Sequence, residues 1–290
     1  QLDLSEEAKD LLVEKGWDLN PYAVDTAHQP SLVYYPYLLT GDRFYLDELH
    51  FWASYNGIAR IVEQRGGSAG LLQEDQLRGQ AWSLRTLGHA ALITPDAHPW
   101  KPVFLGQLKA NLDWYNKRYA TDAPPQSGRI PPWIPSHPEV LQPWQIDYML
   151  LILSLLVENE VPGARPLYLW TSRFSLGRFM SEREGFCRAN APGYQWKVVD
   201  PASRALVTSW AQLQRLNWPD QRSCAEVKWG SQDYPTCASC YTSSARAALA
   251  TMLTAGIREA QEPYDYIRTS TPNREANFAA EPTYAIVPRR

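Results

Sequence analysis

Apolar residues recur at helical spacing along most of this chain, and the breaks between the runs are short. Tyr45, Leu49, Trp52 and Ala53 stand at i, i+4, i+7 and i+8, which is one face of an amphipathic helix. Leu77, Ala81, Leu84, Gly88 and Ala91 repeat the pattern, and Phe104, Leu108, Leu112, Tyr115 and Tyr119 follow it. The interruptions are turn signals: Thr40-Gly41-Asp42, Thr94-Pro95-Asp96 and Pro162-Gly163. Proline and glycine stop a helix, and a short connection folds the next one back antiparallel. The expected fold is therefore all-α, a single domain over residues 1–290 built from antiparallel helical hairpins.

The expected boundaries follow. Leu4, Ala8, Leu11 and Leu12 share one face of a first helix. Pro30 opens a short helix through Leu39, and Asp42 caps a longer one that runs to about Arg60. Gly66, Gly67 and Gly70 form a loop, and a new pair begins near Glu74. Residues 121–143 carry seven prolines and make either a linker or an ordered loop, with Trp133 and His137 favouring the loop. A third pair spans Trp144–Val157 and Arg165–Met180. Phe186–Val199 is irregular, a helix covers Pro201 to about Leu216, and residues 217–241 form a cysteine-containing loop. Ser243–Gln261 is an alanine-rich helix, and periodicity fades from Pro263. Short strands fit Trp196–Val199 and Tyr284–Val287. No short period recurs, so bundles, solenoids and toroids all accommodate the pattern.

Composition excludes several functions. A net charge of -3 lacks the basic excess of a nucleic-acid binder. The longest apolar run, Met149–Val157, is too short to span a bilayer, so no membrane insertion is expected. No HExxH or glycine-rich phosphate loop occurs, which argues against zinc proteases and nucleotide enzymes. The chain opens at Gln1 without an apolar signal segment, as a mature or trimmed fragment would. Cys187, Cys224, Cys237 and Cys240 all fall in the last 110 residues. Disulfides, free structural thiols, and a zinc or redox pair at Cys237-Ala-Ser-Cys240 are the alternatives, with disulfides preferred. Disulfides place the chain in a periplasmic or secreted setting. No metal or cofactor is expected.

The run Ala27-His28-Gln29-Pro30-Ser31-Leu32, followed by Tyr34-Tyr35-Pro36-Tyr37-Leu38-Leu39-Thr40-Gly41-Asp42 and Phe44-Tyr45-Leu46, resembles the helical hairpins of α/α toroid carbohydrate-active enzymes. These are the six-hairpin glycosidase-like and the chondroitin or alginate lyase-like folds. Arg78-Gly79-Gln80-Ala81-Trp82 and Trp114-Tyr115 have the same character. The likeness covers about residues 20–180 and implies an (α/α) toroid, incomplete or smaller than usual. It also implies a ligand cleft lined by the ends of the inner helices.

Three clusters have the residue types such a cleft needs. Asp25, His28 and Gln29 lie before Pro30, with Tyr34 just beyond. A histidine and a carboxylate there can share a proton with a sugar, or they can cap a turn and satisfy a buried carbonyl. Arg78, Gln80 and Trp82 form the second cluster, with Arg85 on the same side of the helix as Arg78. Arginine forks onto a carboxylate while tryptophan stacks on a sugar face; an interhelical ion pair is the alternative. Trp144, Asp147 and Tyr148 share a face at the start of the next helix, where the helix N-terminus favours an ionised Asp147. Trp133 and His137, in the proline-rich loop, are positioned to close over a cleft. Among the 12 Trp, Trp52, Trp114 and Trp210 fit the core, and Trp82, Trp133 and Trp144 fit a glycan site. His50 reads as structural.

The expected partner is a polysaccharide or oligosaccharide. A glycosidase needs two carboxylates roughly 5–9.5 Å apart, for which Asp25 and Asp147 are the candidates. A lyase removes a proton α to a uronate carboxylate with Tyr or His, while Arg or Gln neutralises the growing charge. His28, Tyr34, Asp147 and Tyr148 are the catalytic candidates. Asp25, Gln29, Arg78, Gln80, Trp82, Trp133, His137 and Trp144 are the substrate-binding ones. β-Elimination is slightly favoured; hydrolysis, or a noncatalytic binding or scaffold role, are the alternatives.

Overall fold

The computed structural model describes residues 26–29, 31–73, 76–120, 126–226, 240–270 and 284–289. The proposed first helix at Leu4–Leu12, and with it Asp25, Pro30, Glu74 and Cys237, lie outside the described residues. Among those described the fold is all-α. The helices are α1 (Tyr34–Thr40), α2 (Arg43–Ile58), α3 (Leu77–Ile93), α4 (Lys101–Arg118) and α5 (Pro143–Glu158). Then follow α6 (Ala164–Met180), α7 (Trp210–Asn217), α8 (Cys240–Thr254) and α9 (Gln261–Ser270).

Each long helix packs on its sequence neighbour: α1 on α2, α3 on α4, α5 on α6, α8 on α9. The hairpins then stack, because α3 packs on α5 and α5 on α8, while α4 meets α6 behind them. One row of helices, α3, α5 and α8, is thus backed by a second row, α4, α6 and α9. Local chemistry sets the joints. Gly41 adopts φ 67° at the C-cap of α1, a left-handed conformation natural to glycine. Asp42 then caps α2 by accepting from the Phe44 amide at 2.9 Å. Gly88 lets α3 and α5 approach closely, since a Cβ there would lie 2.8 Å from a Leu156 methyl.

The core is continuous across the stack and includes Leu84, Phe104, Leu112, Leu150, Leu153, Tyr168, Phe174 and Leu249. A buried ion pair crosses it. Asp147 of α5 receives both oxygens' hydrogen bonds from Arg178 of α6, at 2.5 and 2.7 Å, and Ser175 donates at 3.2 Å. Both residues are fully buried.

The proline-rich segment is an ordered loop from residue 126 onward. The Ile130 amide donates to Thr208 at 3.0 Å, Ile134 is buried, and β1 (Val140–Leu141) pairs antiparallel with β2 (Trp196–Lys197). Several expected boundaries moved. No helix begins at Pro201: Asp200 draws in the amides of Ala202 and Ser203 as a turn. Helix α7 starts only after Ser209, whose capping box with Gln212 fixes its entry. The alanine-rich helix stops at Thr254, where Gly256 at φ 87° ends it. Helix α9 then runs across Pro263, which its first turn tolerates because those amides have no intrahelical acceptor. Residues 284–287 are not a strand. Trp210 is buried as expected, whereas Trp52 and Trp114 are half-buried.

Cys187 and Cys224 form a disulfide across 37 residues. Such bonds persist in oxidising compartments, so the chain is periplasmic or secreted. Among the described residues, no helix is long and apolar enough to cross a membrane.

Candidate functional site

Helix α3 turns Arg78, Trp82, Arg85 and His89 to one side, at i, i+4, i+7 and i+11. Helix α5 lies alongside and adds Trp144 and Tyr148, again i and i+4. The two rows interleave. The Arg85 guanidinium sits 4.8 Å from the centroid of Trp82, Trp82 meets Tyr148 at 4.8 Å, and Tyr148 meets Trp144 edge-on at 5.3 Å. Arg78 closes the row 5.4 Å from Trp144. Tyr194 and Tyr241 extend it, with centroids 6.1 and 5.5 Å from Trp144. Tyr148 and Tyr284 join their hydroxyls.

At the other end, Tyr34 of α1 stacks on His89 with centroids 3.7 Å apart and planes nearly parallel. Ser31 meets His89 Nδ1 at 3.2 Å. Arg85 donates to the Gln29 carbonyl at 2.7 Å. The result is a strip of stacked rings bearing two guanidiniums. In Arg78 and Arg85 alike, Nε is buried and has no hydrogen-bond partner among the described residues. A buried N–H without an acceptor is costly, and an anionic ligand would relieve it.

Protonation follows from burial. Desolvation, with Arg85 nearby, pulls the His89 imidazole down to about 3, so it is neutral at physiological pH. Burial lowers Arg85 to about 10, which leaves it charged. Burial, reinforced by Tyr35, raises the Tyr34 phenol. Burial, with Tyr284 alongside, raises Tyr148 well above the usual tyrosine value. The strip therefore combines fixed positive charge, neutral hydroxyls and a neutral imidazole.

Five expected residues meet here: Tyr34, Arg78, Trp82, Trp144 and Tyr148. The others go elsewhere. Asp147 points away from the strip into the core, onto Arg178. Burial pushes its carboxyl up while Arg178 and Ser175 draw it back, so desolvation outweighs the helix-end effect expected to hold it down. Gln80 turns toward α4 and accepts from Tyr115 at 2.5 Å. The Gln29 amide exchanges hydrogen bonds with Asn56 at 2.8 and 3.2 Å and accepts from Thr86 at 2.9 Å. His28 is exposed beside this network. Trp133 packs on Phe174 of α6, centroids 5.9 Å apart. His137 accepts from the Glu139 amide in its own turn at 3.1 Å. Asp25 lies outside the described residues. His50 meets Thr94 at 2.9 Å in the core.

Sequence reasoning underweighted Arg85 and His89, although their spacing from Arg78 and Trp82 was readable. Tyr194, Tyr241 and Tyr284 reach the strip from distant segments, and no local pattern marks them. Among the described residues, no group of His, Cys, Asp and Glu is arranged to hold a metal ion. No protein-family model, curated protein or solved structure matches the chain.

Proposed function

We propose that the chain is a polysaccharide-active protein of the helical-hairpin, toroid-like class, and that the strip on α3 and α5 receives a uronic-acid-containing glycan. The observation that carries the reading is the pairing of each guanidinium with a ring: Arg85 with Trp82 and Arg78 with Trp144. A uronate residue presents an apolar sugar face and a carboxylate, and these two groups complement such a pair. Each buried Nε supplies a donor that a carboxylate would satisfy.

The reaction proposed is β-elimination. A base takes the ring proton α to the carboxylate, electron density builds on the carboxylate, and the glycosidic oxygen leaves with a proton. Tyr34 and His89, stacked together, hold complementary proton states: a phenol that keeps its proton and a neutral imidazole with one ring nitrogen unprotonated. His89 serves as base, Tyr34 as donor to the leaving oxygen, and Arg85 as the neutralising charge. A bound carboxylate would offset Arg85, one of the two causes that hold His89 down, and so raise its basicity when substrate is present.

Hydrolysis finds less support, because it rested on Asp25 with Asp147, and Asp147 is committed to Arg178. That same commitment favours a second reading, a noncatalytic glycan-binding module. Incubation with uronic-acid and neutral polysaccharides separates these readings. Rising ultraviolet absorbance from an unsaturated product supports elimination; new reducing ends without it support hydrolysis. Binding with neither product supports the module, and failure to bind any glycan removes the whole reading.

A further inference from the structure

The first two helices carry an apolar surface that nothing in the chain's described residues covers. Leu32, Tyr35, Leu38, Leu39, Phe44, Phe51, Ile58, Ile61 and Val62 are all at least half exposed. They lie within one segment of 31 residues. Three of them form a line on α2: Phe44 at 62%, Phe51 at 55% and Ile58 at 64% exposure. Their spacing of seven keeps them on one side of the helix, as in the seam of a coiled coil. Taking about 150–250 Å² for a whole aromatic side chain and less for an aliphatic one, the nine leave roughly 900 Å² in water. A partner in a standard protein interface buries about 800 Å².

We infer that this face is the contact between two copies of the chain, with α2 crossing its own copy antiparallel about Phe51. The pattern is symmetric in the way a two-fold interface requires. Phe44 and Ile58 are each seven residues from Phe51, so each meets the other across the axis and Phe51 meets itself. The charges agree with that register. Asp47 and Glu48, four and three residues before Phe51, come opposite Tyr55 and Ser54 respectively, so no carboxylate faces a carboxylate. A parallel crossing would set Asp47 and Glu48 against their own copies.

The test is sedimentation of the full chain together with cysteine scanning. Wild type is expected at twice 33.0 kDa at micromolar concentration, and Phe51→Asp, which sets two carboxylates on the axis, at the monomer mass with an unchanged circular dichroism spectrum. Phe51→Cys is expected to form a covalent dimer under mild oxidation where wild type does not. Phe44→Cys is expected to cross-link with Ile58→Cys in a mixture but not with itself. A monomeric wild type overturns the inference, whether the chain's own residues or another protein covers the stripe. So does a dimer that survives Phe51→Asp, or Phe51→Cys that fails to cross-link.

Discussion

Replacing Asp147 by Asn separates a structural carboxylate from a catalytic one. Asp147 and Arg178 are fully buried and joined through two oxygens. Arg178 Nε and Nη1 already lack acceptors among the described residues. Removing the negative charge leaves a guanidinium in the core with no counter-ion, and breaking one partner of such a pair typically costs about 3–5 kcal/mol. Helices α5 and α6 lose their shared polar anchor, so the effect is on global stability. Urea unfolding followed by circular dichroism measures it, as a fall in midpoint at constant slope. Changing both residues, Asp147→Leu with Arg178→Met, should recover most of the loss, to within about 1–2 kcal/mol of wild type, because an apolar pair needs no compensation. Asp147→Asn within about 1 kcal/mol of wild type, combined with lost turnover, would refute this reasoning and return Asp147 to the active site.

Two further outcomes test the electrostatics and the covalent frame. His89 has a folded-state value near 3 against about 6.5 when unfolded; as pH falls below 6.5 the unfolded chain takes a proton that the folded chain refuses, so stability drops. Wild type should lose about 2 kcal/mol more than His89→Asn between pH 7 and pH 5 in parallel urea titrations, and equal slopes would contradict the neutral buried imidazole. The Cys187–Cys224 bond closes a loop of 37 residues, so the Cys187→Ser/Cys224→Ser variant should be less stable by about 3–4 kcal/mol, and a loss under 1 kcal/mol would contradict that frame.

Much of the fold was legible because helix-forming information is local. The 3.6-residue repeat in α2 to α6, and the Thr-Pro-Asp and Pro-Gly stops between them, lie within single windows of sequence. Errors came where side chains competed with the helix. Asp200 captured the amides that a helix from Pro201 would have used, and Pro263 suited a first turn although it reads as a breaker. The site was legible by half. Arg78 and Trp82 announced a face of α3, and Trp144 and Tyr148 one of α5. The direction of Asp147 depended on Arg178, 31 residues on, and that of Gln80 on Tyr115 in the backing helix. Those partners are set by how hairpins stack, which no short window encodes.

The two guanidiniums of the strip are proposed to bind a glycan carboxylate. Calorimetric titration of wild type and Arg85→Ala with a polyuronate and with its carboxyl-reduced form tests it most directly. Wild type is expected to prefer the charged polymer, the preference to weaken with salt, and Arg85→Ala to lose about 1.5–3 kcal/mol for the charged polymer alone, the worth of one charged hydrogen bond. Equal binding of both polymers by wild type, or an Arg85→Ala variant that binds the polyuronate as wild type does, would contradict it.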